Sequence, residues 1–165
     1  MDRLEKLLNF AEKEGIILCQ ENENHIYGEK VDGVLDIQNY FGGRMKYVFD
    51  AANFLTVGEK SYPDAYFKLK DEIFYMHIKD NTVDGKMICP AGYGAGGIRE
   101  MLADMDKSYP DKTFYLTLEP HLMIFGGLDK LQSMMEEKGK VVNQFSTAEE
   151  AFAVAAQALK ECLPA

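Results

Sequence analysis

The sequence predicts an α/β domain in which four parallel strands alternate with helices. Four apolar runs are separated by segments with helical spacing, and each run ends on a residue type that binds metal ions. These residues are Glu21, Asp50, His77 and Glu119. Parallel strands joined by helical crossovers carry chemistry at their carboxyl ends, so we expect the four side chains to converge on one face. Three carboxylates and one imidazole would form a divalent-metal site.

The composition indicates one globular domain spanning residues 1–165. Of these residues, 47% are hydrophobic and 27% are charged, which suffices for a sizeable core without a second domain. The formal net charge of −9 would repel a phosphate backbone. We therefore expect a small-molecule substrate and no nucleic-acid partner.

Apolar segments and cysteines bear on the location of the chain and on the state of its thiols. No apolar stretch approaches the roughly 20 residues of a membrane span, and the amino terminus lacks the apolar segment of a signal peptide. We expect no membrane partner and a cytoplasmic location. The cysteines Cys19, Cys89 and Cys162 are odd in number and far apart, so free thiols are expected.

The first half of the chain contains three predicted helices. Apolar residues recur on one face over residues 2–14 and 31–41, and a glycine follows each segment. The third helix is predicted over residues 62–70, with Pro63 near its start. These helices alternate with the strands that end at the proposed ligands.

The second half continues the alternation. Asp84-Gly85 lies between short β-prone stretches and predicts a hairpin over residues 81–88. Helices are expected over residues 98–105 and 128–138, followed by a short extended piece at residues 141–142. The chain shows no repeat or domain linker.

The last helix carries a start signal of its own. Ser146 and Glu149 have the spacing of a capping box, which predicts that the helix opens there. Its buried stripe is expected to contain Phe152, Ala155, Ala156 and Leu159.

The strand count leaves two architectures open. Four parallel strands are half of what a closed eight-stranded barrel needs. They also fit an open, doubly wound sheet, which is the commoner fold for this length. Hydrophobic periodicity does not separate the two.

Four short motifs surround the proposed ligands. They are Glu21-Asn22-Glu23, Phe49-Asp50-Ala51-Ala52-Asn53-Phe54, His77-Ile78-Lys79-Asp80 and Leu118-Glu119-Pro120-His121. In these motifs, and in the order Glu, Asp, His, Glu, the chain resembles the xylose isomerase-like TIM barrels. That superfamily contains sugar phosphate isomerases and epimerases together with endonuclease IV-type enzymes. The resemblance covers nearly the whole chain and aligns with the carboxyl-terminal half of the family pattern.

The resemblance implies half of a (β/α)8 TIM barrel, with the first four β/α units absent. A half barrel exposes two parallel edge strands and an inward apolar face, both of which favour association. The expected partner is a second copy, which would close the barrel as a homodimer, or a complementary half barrel. A truncated chain that keeps its ligands but has lost activity is the alternative.

The resemblance also implies a metal-dependent sugar or sugar-phosphate isomerase or epimerase. Glu21, Asp50, His77 and Glu119 would bind Mn²⁺, Mg²⁺ or Co²⁺, and Zn²⁺ is also compatible. Glu21 and Glu119 would be catalytic, one taking the proton next to the substrate carbonyl and the other returning it. For each acid taken alone, a helix cap or loop anchor is the commoner role.

Four further residues are substrate-binding candidates. Lys79 and Asp80 would reach substrate hydroxyls or orient the imidazole of the preceding histidine, and a solvated loop pair is the alternative. His121 would touch substrate if the extended backbone continues beyond the last strand. Asn53 would orient the substrate, or form an Asx turn. His25 lies in a polar loop and is not expected to be a ligand.

A glycine-rich segment follows the hairpin. Residues 92–97 formally fit a dinucleotide fingerprint, but Pro90 and the hairpin precede them in place of a long strand. Similar strings follow the His-x-Lys-Asp segment in the family that the chain resembles, where the loop borders the substrate. The amides of Gly92 and Gly94 are therefore predicted to bind phosphate or sugar hydroxyls, with a bare turn as the alternative.

Two other functions remain as alternatives. An endonuclease IV-like phosphodiesterase would need a multi-metal cluster and a basic surface, which three histidines and a charge of −9 disfavour. A half-barrel subunit that binds a ligand or partner without turnover is the non-enzymatic alternative. Stabilisation by Mn²⁺ would separate a metal enzyme from a pure scaffold.

Overall fold

The computed structural model describes residues 1–123 and 145–164 and shows an α/β domain. Its main sheet has four parallel strands, which are hydrogen-bonded in the order β1 (Cys19–Glu21), β2 (Lys46–Asp50), β3 (Ile73–Ile78) and β6 (Tyr115–Leu118). A separate antiparallel pair consists of β4 (Asp80–Asn81) and β5 (Ile88–Cys89). This pair is the predicted hairpin.

Helices alternate with the strands along the chain. They are α1 (Asp2–Lys13), α2 (Val31–Phe41), α3 (Ala51–Thr56), α4 (Tyr66–Leu69), α5 (Ile98–Ser108) and α6 (Ala148–Cys162). A 3₁₀ turn at Tyr27–Glu29 and a π-helical turn at Ser61–Ala65 complete the helical segments described. The helix predicted over residues 128–138 and the extended piece at 141–142 lie outside the described residues. Among the helices described, none combines the length and apolar character that a membrane crossing requires.

The main core lies between one face of the sheet and the helices. Its side chains include Tyr47, Phe49, Ile73, Met76 and Ile78 from the strands and Val34, Tyr66, Leu69, Ile98 and Met101 from the helices. On the opposite face, Tyr115 and Thr117 are exposed and Tyr75 is half-buried. A doubly wound sheet would have helices on both faces. Among the residues described, the main core lies on one face of the sheet, as in the wall of a barrel.

The sheet is open in the described part of the chain. β1 and β6 are its edge strands, and no further strand among residues 1–123 and 145–164 pairs with either of them. Four parallel strands with interleaved helices were predicted, and this part of the prediction is confirmed. The architecture is consistent with half of a TIM barrel and not with a closed one.

Two helical segments in the first half differ from the prediction. The sequence analysis assigned no helix after β2, but α3 begins there, and the N–H of Asn53 donates to Asp50 Oδ1 at 3.0 Å as its N-cap bond. The helix predicted over residues 62–70 is wrong in its first turn, because Tyr62 is extended at φ −119° and ψ 135°. The proline ring makes the helical conformation unfavourable for the residue that precedes it. Within residues 62–70, regular α-helix is therefore confined to Tyr66–Leu69.

The start of α6 lies one residue later than predicted. Thr147, and not Ser146, is the N-cap, and its Oγ1 accepts a hydrogen bond from the N–H of Glu150 at 3.1 Å. The side chain of Phe152 was expected to be buried but is 54% exposed. The buried side chains are small ones, Ala151, Ala155, Ala158 and Cys162. The helix therefore packs closely through alanines, and the larger phenylalanine faces outward.

Candidate metal centre

The four predicted ligands converge at the carboxyl edge of the sheet. One potential ligand atom from each of Glu21, Asp50, His77 and Glu119 lies within 4.8 Å of all the others. The parallel register produces this arrangement, since Asp50 pairs with His77 across β2 and β3. Two strand ends are shifted from the prediction, because β3 continues one residue past His77 and β6 ends one residue before Glu119. The shifts leave all four side chains at the same edge.

His77 lies between two of the carboxylates. Its Nδ1 is 3.0 Å from Glu21 Oε1 and 3.4 Å from Glu119 Oε2. Neither contact has hydrogen-bond geometry, so Nδ1 is a buried polar atom without a hydrogen-bond partner. Glu119 and Glu21 raise the pKa of His77 to about 10. In the metal-free site the imidazole is therefore held as a cation at neutral pH.

Asp50 has two roles, one for each carboxylate oxygen. Its Oδ1 caps α3, whereas Oδ2 is buried, makes no hydrogen bond of regular geometry and faces the Lys79 ammonium at 3.0 Å. The side chain is fully buried, and this burial raises the pKa of Asp50 to about 6, although the nearby Lys79 opposes the shift. The helix-cap alternative and the ligand hypothesis are thus compatible, because they use different oxygens.

A buried amide holds the backbone of Asp50 in place. Asn22 Nδ2 donates to the carbonyl of Asp50 at 2.8 Å, and the N–H of Asp50 donates to Asn22 Oδ1 at 2.9 Å. The hydroxyl of Tyr47 donates to the same Oδ1 at 2.9 Å. The sequence analysis did not assign a role to Asn22 or Tyr47. A polar amide next to a proposed ligand was the available signal.

Lys79 lies within the cluster and not in a solvated loop. Its side chain is only 4% exposed, and Nζ is 3.0 Å from Asp50 Oδ2 and 2.9 Å from Glu119 Oε2. Burial alone would lower the pKa of Lys79, but the charges of Asp50 and Glu119 raise it above its ordinary value. The ammonium therefore stays charged beside two predicted ligands.

Two predicted substrate-binding residues contact Glu21 and Glu119, the two carboxylates predicted to be catalytic. Asn53 is buried, and its Nδ2 donates to Glu21 Oε1 at 3.1 Å. His121 is half-exposed, with Nε2 3.4 Å from Glu119 Oε1. Burial opposes ionisation of Glu119, but His121, His77 and Lys79 hold the pKa of Glu119 well below its usual range. His25, as expected, does not belong to the cluster.

Asp80 faces the glycine-rich loop. Its carboxylate accepts hydrogen bonds from the N–H groups of Gly92 at 3.0 Å, Gly94 at 3.1 Å and Gly96 at 2.8 Å. Burial raises the pKa of Asp80, although these N–H groups oppose the shift. The amides that were predicted to bind phosphate are thus bonded to a side chain of the protein itself. These bonds indicate that Asp80 positions the loop. They leave little room for Asp80 to contact a substrate.

The donor set fits a divalent cation. Three carboxylates and one ammonium leave two negative charges in the cluster, as long as the imidazole is neutral. Two of the four residues also offer a buried atom that makes no regular hydrogen bond, Asp50 Oδ2 and His77 Nδ1, and both atoms contact charged groups of the cluster. Oxygen and imidazole donors of this kind suit Mn²⁺, Mg²⁺, Co²⁺ and Zn²⁺. A bound ion would require His77 to release its proton.

The fold and the cluster together define an α/β protein with the topology of half a barrel and with three acidic residues and one histidine at the carboxyl edge of its strands. Residues 1–121 match the family model described as xylose isomerase-like TIM barrel. The chain belongs to this family, and the matched range includes all four clustered residues. A search of curated proteins finds no match. Family membership supports a sugar isomerase, epimerase or related activity at the superfamily level.

Proposed function

We propose that this protein is a metal-dependent sugar or sugar-phosphate isomerase or epimerase. One observation carries the proposal: Glu21, Asp50, His77 and Glu119 bring a ligand atom each to within 4.8 Å of one another at the carboxyl edge of a parallel sheet. Catalytic groups of barrel enzymes lie at this edge. Divalent metals are common in the family, and its substrates are small molecules.

The metal-binding group would be the same four residues. When bound, a divalent ion polarises an oxygen of the substrate and stabilises the negative charge that develops there. Mn²⁺, Mg²⁺ and Co²⁺ suit the donor set best, and Zn²⁺ is compatible. The particular metal remains a prediction.

The proton transfers fall to Glu21 and Glu119. One carboxylate removes the proton from the carbon next to the carbonyl, and the other returns it. Return on the opposite face gives epimerisation, whereas return at the neighbouring carbon gives aldose–ketose isomerisation. Asn53 orients Glu21 through its hydrogen bond, and the cations around Glu119 keep that carboxylate ionised.

The substrate would lie on the open side of the cluster. His121 is the best-placed substrate contact among the predicted residues, because it is half-exposed and adjoins Glu119. Asn53, Lys79, Asp80, Gly92 and Gly94 already have protein partners. For these five residues we propose roles in shaping the site and not direct binding of a sugar.

We also propose that the open sheet takes a partner, either a second copy or a complementary half barrel. The edge strands β1 and β6 have unpaired backbone groups on one side in the described structure, which favours pairing. Large apolar side chains are exposed next to both edges, Ile16 and Ile17 before β1 and Tyr115 in β6. The cytoplasmic location stays a prediction.

The test combines metal titration with isotope exchange. The protein is incubated with ketoses and ketose phosphates in D₂O and Mn²⁺, and NMR measures deuterium entering the carbon next to the carbonyl. Exchange that requires Mn²⁺ would support the proposal. Binding of Mn²⁺ without exchange in any substrate would contradict the enzymatic part, and absence of Mn²⁺ binding would contradict the metal part.

A half barrel that binds a ligand without turnover is the second candidate. The observation that favours it is Lys79, whose ammonium already contacts two of the four proposed ligands. The endonuclease IV-like alternative has no comparable support, and the net charge of −9 opposes it. The isotope experiment distinguishes the first two, since a non-catalytic chain shows no exchange.

A further inference from the structure

Lys79 provides a permanent positive charge inside the proposed metal centre. Its ammonium is nearly fully buried and lies 3.0 Å from Asp50 Oδ2 and 2.9 Å from Glu119 Oε2. Asp50 itself is fully buried. Lys79 thus contacts the same carboxylates that are proposed to bind the divalent ion.

The backbone beside Lys79 is anchored by the next residue in the chain. Asp80 is fully buried and accepts hydrogen bonds from the N–H groups of Gly92, Gly94 and Gly96. Since Lys79 lies between this anchored residue and strand β3, its backbone has little freedom to move away. The ammonium itself is held by its burial and by its two ion pairs with Asp50 and Glu119.

Two physical effects follow from a fixed ammonium at this place. Without a metal, it pairs two carboxylates whose burial as isolated charges would be costly. With a metal, it repels the incoming cation, and it occupies one side of two ligand oxygens. The first effect stabilises the metal-free fold, and the second weakens metal binding.

We propose that Lys79 is a tethered counter-cation that keeps the site folded without metal and competes with the divalent ion for Asp50 and Glu119. The proposal rests on the metal site of the proposed function. Lys79 acts on the metal through two ligands and is thus a positioning residue. Lys79 sets how tightly the metal binds and how much the stability of the fold depends on the metal.

The test compares the variants Lys79→Met and Lys79→Arg with the unaltered chain. Lys70→Met is the matched control, because Lys70 is also partly buried and pairs with Asp104 at 3.0 Å, away from the cluster. Each protein is melted in EDTA and in Mn²⁺, and calorimetry gives the Kd for Mn²⁺ at a pH of about 8, where carboxylates are ionised.

We expect Lys79→Met to melt at a lower temperature than the unaltered chain in EDTA. Addition of Mn²⁺ should raise its melting temperature by more than it raises that of the unaltered chain. Its Kd for Mn²⁺ should be lower by roughly tenfold or more, since a nearby positive charge has been removed. Lys79→Arg keeps the charge and should bind Mn²⁺ as the unaltered chain does. Lys70→Met should lose stability equally in EDTA and in Mn²⁺.

Equal or weaker Mn²⁺ binding by Lys79→Met would overturn the inference while leaving the proposed metal site intact. If only Lys79→Met binds Mn²⁺, the inference holds and the proposed function fails for the unaltered chain. If neither binds, both fail. Should Lys79→Met not fold even with Mn²⁺ present, the inference is also overturned, because the metal then does not replace the ammonium.

Discussion

At the scale of single residues, the two glutamates of the centre differ in the charged and polar groups that surround them. Glu119 adjoins His77, Lys79 and His121, whereas Glu21 adjoins His77 and the amide of Asn53. Glu119 therefore has the more strongly cationic surroundings of the two carboxylates. The two proton-transfer groups are chemically distinct, as two opposed steps of one reaction require.

The first prediction concerns the catalytic carboxylate. Glu119→Gln should reduce the Mn²⁺-dependent isotope exchange by about 100-fold or more, because it removes a proton-transfer group. The variant should still fold, since the amide keeps the shape of the side chain, but it should melt at a lower temperature in EDTA because the ion pair with Lys79 loses one of its charges. Glu100→Gln is the control, as Glu100 is exposed on α5. Exchange retained by Glu119→Gln in saturating Mn²⁺ would reject the assigned role.

The second prediction concerns pH and His77. The folded metal-free protein holds the pKa of His77 at about 10, compared with about 6.5 for an unperturbed histidine. A raised pKa stabilises the fold fully below about 6.5, and this contribution disappears as pH rises from about 6.5 to about 10. Urea melts in EDTA across this range should show the loss. In His77→Asn the stability should depend less steeply on pH over this range. An equally steep loss in that variant would contradict the assignment of the effect to His77.

At the scale of elements, short polar side chains hold the helices and the loop that follow them. Asp50 caps α3, Asp80 holds the glycine-rich loop, and Thr147 caps α6. In each case a short side chain accepts backbone N–H groups that would otherwise lack a partner. The loops near the site are consequently ordered by local hydrogen bonds.

The third prediction tests the packing of the glycine-rich loop. A methyl group at Gly94 would collide with Asp80 Oδ1 and with the carbonyl of Asn81. Gly94→Ala should therefore destabilise the protein by about 2 kcal/mol or more. Gly15→Ala is the control, because Gly15 has φ +67° but open space around it and should cost only about 1 kcal/mol. Equal losses in urea melts would refute the close contact.

The fourth prediction separates two adjacent candidates for the start of α6. Thr147→Ala should lower the free energy of unfolding by about 1 kcal/mol, because it removes the hydroxyl that accepts from Glu150. Ser146→Ala should change it by less than about half as much, since only the backbone of Ser146 contacts Glu150. The reverse order in thermal or urea melts would favour the start at Ser146.

At the scale of the whole molecule, the described sheet is open at both edges. Its helices cover one face, and the other face presents Tyr75, Tyr115 and Thr117 next to the metal centre. A closed barrel would bury this face completely. The open wall is the reason to expect that a partner completes the site.

The fifth prediction concerns this association. Light scattering of the 165-residue chain should give the mass of a dimer, and Tyr115→Lys should shift it toward the monomer by placing a charge on the edge strand β6. Val83→Lys is the control, because Val83 is 83% exposed in the hairpin away from both edges. A monomer for the unaltered chain would reject self-association, and a dimer unaffected by Tyr115→Lys would place its interface elsewhere.

Several features of the fold were predictable because they depend on local sequence. The helices at α1 and α2, the four strands, and the hairpin around Gly85 follow from hydrophobic spacing and turn residues. The short helix α3 was missed because it has few residues and no long apolar stripe. The burial of Phe152 was predicted wrongly, since spacing gives a face but not the neighbour that covers it.

The sequence by itself determined that Glu21, Asp50, His77 and Glu119 would share one edge, because parallel strands place their carboxyl ends together. The tertiary structure alone decided what each of their neighbours does. It placed Lys79 between two carboxylates and turned Asp80 toward the loop, although the two residues are adjacent in the chain. Alternation along an extended backbone sends adjacent side chains to opposite sides, but only three-dimensional packing determines what lies on each side.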